Sequence, residues 1–140
     1  MVPPRPHIVR FPASVPKSGS WGFVMVAASV ETVSAFLHEV RAGGRPYTTL
    51  AVWMALAPYV KRDTGEVVCS QRQLAKTAGV TQSDVYKALD RLIEMGVLLK
   101  EKRGVYRVHP SVMWRGELAK RGQAEATAPH LTIVEGGKAD

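Results

Sequence analysis

Thr81, Gln82 and Ser83 stand together, with Tyr86 and Lys87 one helical turn further on. Hydroxyl, amide, phenol and ammonium groups grouped in this way offer hydrogen-bond donors and acceptors. They suit reading the edges of bases and holding phosphate oxygens in a DNA groove. Cations surround the group in sequence: Arg72 and Lys76 precede it, Arg91 follows it, and Lys100, Lys102, Arg103 and Arg107 come after. Groups for bond-breaking chemistry do not converge in the same way. His7, His38, His109 and His130 are scattered, no Cys/His spacing fits zinc, and no glycine-rich phosphate loop precedes a helix. Nor do paired carboxylates share a face, so no catalytic residue, metal, cofactor or small-molecule ligand is expected.

The recognition group needs a rigid carrier, and Ser70 to Ile93 supplies one. Ser70 with Gln73 three residues on forms a capping box, and Leu74, Ala75 and Ala78 then share a helical face. Gly79 allows a sharp left-handed turn, with Val80 apolar behind it. Thr81 caps a second helix with Asp84 in its first turn, and Val85, Ala88, Leu89 and Leu92 form its inner stripe. Gly96 closes it. This is a helix-turn-helix pattern, in which Arg72, Lys76 and Arg91 would hold phosphates. An ordinary pair of helices would read similarly, but the next segment decides. Val97 to Pro110 alternates around Gly104 as a β-hairpin with a basic tip at Lys102-Arg103-Gly104. The expected fold is therefore mainly α with a small β-hairpin wing, a winged helix-turn-helix. Lys100, Lys102, Arg103 and Arg107 belong to the wing, although strand alternation turns some of them away from a ligand.

The chain has 140 residues with 46% hydrophobic content, enough for one compact core. Its net charge is +7, and Lys61 to Arg121 holds thirteen Lys and Arg against seven Asp and Glu. The basic excess thus gathers around the helix-turn-helix and wing, which favours phosphate. No apolar run approaches the roughly 18 residues of a membrane span, and no secretory signal is apparent. The single cysteine, Cys69, suits a reducing compartment and reads as a small, partly buried residue. A cytoplasmic protein associated with nucleoid or plasmid is the expectation.

Residues 1–20 contain five prolines between Pro3 and Pro16, with Arg5, Arg10 and Lys17, and read as a disordered arm. Residues 21–116 read as the DNA-binding domain. It opens with an apolar strand-like run, Trp21 to Val26, and a helix capped by Ser29. Val33, Phe36, Leu37 and Val40 form that helix's stripe and are the candidate homodimer contact. A second, buried helix opens at Pro46 with Thr48 or Thr49 as its cap, and Glu66-Val67-Val68 is a strand able to pair with the hairpin. Trp114 and Met113 read as a lid over the core. Residues 117–140 read as a flexible tail, its first part adding a helical turn or two.

From about Thr49 to Gly116 the chain resembles the RepL-type plasmid replication and maintenance proteins. Asp63 to Glu66 gives D-x-G-E. Gln71 to Leu92 gives Q-x-x-L-A-x-x-x-G-V, then apolar residues at Val85, Leu89 and Leu92. Gly104 to Pro110 gives G-V-Y-x-V-x-P, and Trp114 to Gly116 gives W-R-G. The family often has Asn where this chain has His109. The resemblance implies binding of double-stranded DNA in plasmid replication, copy-number control or control of plasmid genes, and it implies no catalytic site. Two rivals remain open from the residues: a transcriptional repressor of a plasmid or mobile-element operon, and a winged helix used to bind protein.

Overall fold

A computed structural model describes residues 24–26, 29–129 and 131. The proline-rich arm and Trp21 to Phe23 lie outside the described residues. Strand β1 (Val24–Val26) leads to helices α1 (Val30–Ala42) and α2 (Pro46–Leu56). Then come β2 (Glu66–Val68), α3 (Gln71–Ala78), α4 (Gln82–Glu94), β3 (Leu98–Lys102), β4 (Val105–Val108), β5 (Met113–Arg115) and α5 (Leu118–Thr127). The fold is the expected helix-rich domain with a β wing. The hairpin β3–β4 takes β2 as its third strand, in the antiparallel order β2-β4-β3.

Local chemistry sets the helix-turn-helix. The Ser70 hydroxyl accepts from the Gln73 amide at 3.0 Å, and the Gln73 side chain accepts from the Ser70 amide at 2.8 Å. Gly79 takes φ 73° at the end of α3, and the Thr81 hydroxyl accepts from the Asp84 amide at 3.1 Å to start α4. Val85, Ala88, Leu89 and Leu92 are buried against Val52, Trp53 and Leu56 of α2, Leu74 of α3, and Val67, Leu98 and Val108 of the sheet. This core fixes the rotation of α4 and so decides which of its residues face outward.

The start of α2 differs from expectation. Its cap is Arg45, in left-handed backbone at φ 56° and ψ 59° with no side-chain cap bond. Thr49 is buried a turn inside the helix. Pro46 explains this, because its fixed φ and missing N–H suit the first helical position. The stripe of α1 also divides. Phe36 and Val40 are buried, with the Phe36 ring 5.2 Å from Trp53, so they complete this chain's own core. Of the four candidate dimer residues only Val33 and Leu37 keep exposed surface, and Leu37 is 46% exposed.

The C-terminal segment is more ordered than its composition suggests. Met113–Arg115 is a strand paired antiparallel with β1, and Trp114 is buried with its indole N–H donating to Glu117 O at 3.0 Å. The first part of the segment read as a flexible tail is the ten-residue helix α5. Arg121 donates to Pro110 O at 2.8 Å, the Ser111 hydroxyl lies 2.8 Å from Glu125, and Leu131 is buried. Buried His109 accepts from the Ser111 amide at Nδ1, 3.1 Å away, which leaves Nε2–H to donate to Pro129 O at 2.7 Å. A histidine before Pro110 thus ties the end of α5 to the core. These long-range bonds have no periodic signature in sequence.

Candidate nucleic-acid interface

Helix α4 presents its first two turns to solvent. Thr81, Gln82, Ser83, Tyr86 and Lys87 are all exposed, and Tyr86 reaches 57% despite its aromatic ring. Thr81 spends one acceptor on its own helix cap, so Gln82, Ser83, Tyr86 and Lys87 carry the free polar groups. Inward-facing Val85, Ala88 and Leu89 hold them in place. Spacing divides the outer surface into two edges. Gln82, Tyr86 and Asp90 follow at intervals of four along one edge; Asp84 and Lys87 lie along the other.

On the first edge a cleft of about 550 Å³ separates α4 from the wing and the start of α3. Arg72, Gln82, Lys100, Arg103 and Tyr106 are among its lining residues. Arg72 is brought to Lys100 and Arg103, some thirty residues on, because β4 pairs with β2 and sets the hairpin tip beside Cys69, just before α3; the Cys69 amide donates to Gly104 O at 3.4 Å. Cys69 also lines the cleft wall; burial pushes its thiol up to about 11, which keeps it protonated and unreactive near neutrality. Burial likewise raises the Tyr106 phenol. Lys76 on α3 and Lys102 on β3 are exposed outside the cleft. Among the described residues, none of Arg72, Lys76, Lys87, Lys100, Lys102 and Arg103 is held by a hydrogen bond or ion pair.

Two of the expected phosphate ligands are placed otherwise. Arg91 lies in the last turns of α4, where its Nη2 donates to Glu39 O at 2.6 Å and contacts the Glu39 carboxylate at 3.2 Å. Its Nη1 meets Glu94 at 3.2 Å, and its Nε is buried beneath Gly43. Arg91 thus clamps α1 to α4. Arg107 lies opposite Glu66 on β2, on the sheet face away from Tyr106. It pairs with Glu101 and donates to Thr64 O at 2.7 Å. The Arg107 hydrogen bond holds the Glu101 carboxyl below its ordinary range, and Glu101 in turn raises Arg107. Strand alternation accounts for this separation, since neighbours on β4 must face opposite ways.

Sequence reading missed Arg45. Its side chain pairs with Asp84, in the first turn of α4, across 39 residues of sequence. With Thr48 and Lys87 the pair lines a groove of about 270 Å³ on the second edge of α4. The available signal was a lone basic residue between Gly43-Gly44 and Pro46, a poor guide to distance in space.

The family model for the Firmicute plasmid replication protein (RepL) matches residues 30–125. The chain belongs to the RepL family. That span runs from the start of α1 almost to the end of α5, so it includes both edges of α4 and the wing. No curated protein and no solved structure matches the chain. Among the described residues of this RepL-family chain, no helix is long and apolar enough to cross a membrane, and no group of three His, Cys, Asp or Glu is arranged to hold a metal.

The distinctive motifs of the RepL resemblance meet away from the cleft. The Asp63 amide donates to Arg115 O at 2.8 Å, and the Glu117 amide donates to Asp63 Oδ1 at 2.8 Å. Gly116 has φ 121°, and a Cβ there would run into the Asp63 carboxylate and come within 2.8 Å of its backbone nitrogen. The Val108 amide donates to Gly65 O at 2.9 Å. D-x-G-E, G-V-Y-x-V-x-P and W-R-G are therefore neighbours in one backbone lock. It braces the hairpin, away from the exposed residues of α4.

Proposed function

We propose that this RepL-family plasmid replication protein binds double-stranded DNA sequence-specifically, with the first turns of α4 in the major groove and the wing along a phosphate backbone. The observation that carries the reading is the cleft where Arg72, Lys100 and Arg103, none paired with another described residue, line the same wall as the exposed Gln82. A glutamine can pair with adenine through two hydrogen bonds, and adjacent cations fix register on the backbone. The protein acts without catalysis, in the cytoplasm at its plasmid, in replication initiation or in copy-number or maintenance control. Footprinting of the purified protein on the DNA around its own gene tests this. Protection of an origin supports the replication role, protection of a promoter assigns transcriptional repression, and no protection rejects sequence-specific binding. Helix-turn-helix proteins commonly occupy paired half-sites as two-fold dimers. Exposed Val30 and Leu37, with half-buried Val33 between them, are the candidate second-copy contact. Sedimentation of the parent and of Leu37→Asp tests that assignment: a monomeric parent, or an unchanged dimer in the variant, rejects it.

A further inference from the structure

A helix is about 10–12 Å across with its side chains, and the major groove is about 12 Å wide. A helix seated in that groove therefore has a phosphate backbone near each edge. The cleft edge of α4 carries Arg72, Lys100 and Arg103. The opposite edge has the Arg45 groove, with Lys87 and Thr48 in its lining. Arg45 is 61% exposed at its side chain, so it is open to an outside anion while it pairs with Asp84. Its backbone is left-handed, a conformation that glycine takes at little cost and arginine does not. A strained residue of this kind beside a recognition surface points towards a use for its side chain.

We propose that Arg45, together with Lys87, holds the second DNA backbone, on the edge of α4 opposite the wing, and that Asp84 keeps the Arg45 guanidinium aimed there. The proposal rests on the double-stranded DNA reading given above. Arg45 has more donors than one carboxylate oxygen uses, so it can retain Asp84 while donating to a phosphate oxygen. Asp84 alone would repel that phosphate; paired, it serves as a bracket. The two cationic edges then grip both strands and fix the rotation of α4 about its axis in the groove.

The test uses the full chain and a duplex carrying the footprinted site, with Kd measured across a salt series. Five proteins are compared: the parent, Arg45→Gly, Arg45→Lys, Asp84→Asn and the Arg45→Gly, Asp84→Asn double variant. Glycine relieves the left-handed strain, so Arg45→Gly should fold at least as well as the parent by thermal melting. Its binding should weaken about tenfold near physiological salt, as expected for one lost charge-assisted hydrogen bond. Its salt slope should fall by about one unit. The double variant should keep the reduced slope, and Arg45→Lys should restore it. If the double variant regains the parent's affinity and slope, Arg45 only neutralises Asp84 and the proposal fails. An unchanged slope in Arg45→Gly also overturns it while leaving the main DNA reading intact. A parent that does not bind duplex DNA removes both.

Discussion

Replacing Arg72, Lys100 and Arg103 together with alanine removes three cleft cations that pair with no other described residue. All three lie outside the buried core, so secondary structure and melting temperature should change little. Each phosphate contact contributes about 0.9 to the slope of log affinity against log salt, so three contacts contribute roughly 2.7. Over a fourfold rise, from about 50 to about 200 mM salt, that slope amounts to roughly a 40-fold change in affinity, or about 2.2 kcal/mol. The triple variant should therefore lose about 40-fold less affinity than the parent across that range. Its remaining binding should be weakened on specific and unrelated duplexes alike, because backbone contacts carry no sequence. Arg107→Ala is the internal control. It removes one charge of the same sign, but that charge is committed to Glu101 and Thr64 on the far side of the sheet, so the slope should stay within a few tenths of the parent's rather than fall by about 0.9. Fluorescence anisotropy on a labelled specific duplex and a labelled unrelated one measures all three proteins. Equal slopes for parent and triple variant, or a drop of about 0.9 for Arg107→Ala, would refute a local phosphate site and leave only a diffuse basic surface.

Gln82→Ala should keep the fold and relax base preference at one position of the mapped site by about 1–3 kcal/mol, whereas Lys87→Ala should lower affinity, uniformly if the lysine touches phosphate. Competition binding with single-base variants of the site reads both; full selectivity in both would remove α4 as the reader. Gly116→Ala should destabilise by about 1–3 kcal/mol from backbone strain, and further from collision with Asp63. Gly79→Ala has open space around it and should incur only the strain, so the difference between their melting temperatures isolates the lock. Cys69 is raised from 9.0 to about 11, so the folded state holds the thiol proton to higher pH than the unfolded chain does. That contribution to stability is complete below about 9 and is lost as pH rises through about 11. Cys69→Ala should therefore flatten the alkaline fall in melting temperature, and the native thiol should react with iodoacetamide far more slowly at pH 8 than the unfolded one.

Sequence alone determined what depends on neighbours within a turn or two. The Ser70–Gln73 box, the Gly79 turn, the Thr81 cap and the inward stripe from Val85 to Leu92 are local chemistry read at helical spacing. Together they place Gln82, Ser83, Tyr86 and Lys87 on the outside of α4 without further information. The wing was legible for the same reason, since alternation around Gly104 is a local pattern. Tertiary structure alone decided which cations are available. Arg91 and Arg107 look as free in sequence as Arg72 and Arg103, but Glu39 lies 52 residues before Arg91, and Thr64 lies 43 before Arg107. Arg45 reaches α4 only because the α1–α2 turn packs against it. Phe36 and Val40 entered this chain's own core, Phe36 against the Trp53 ring, a partner no helical stripe in α1 reveals. Charge and apolar periodicity are properties of a segment, whereas the partner of a long side chain is set by what the fold carries within its reach.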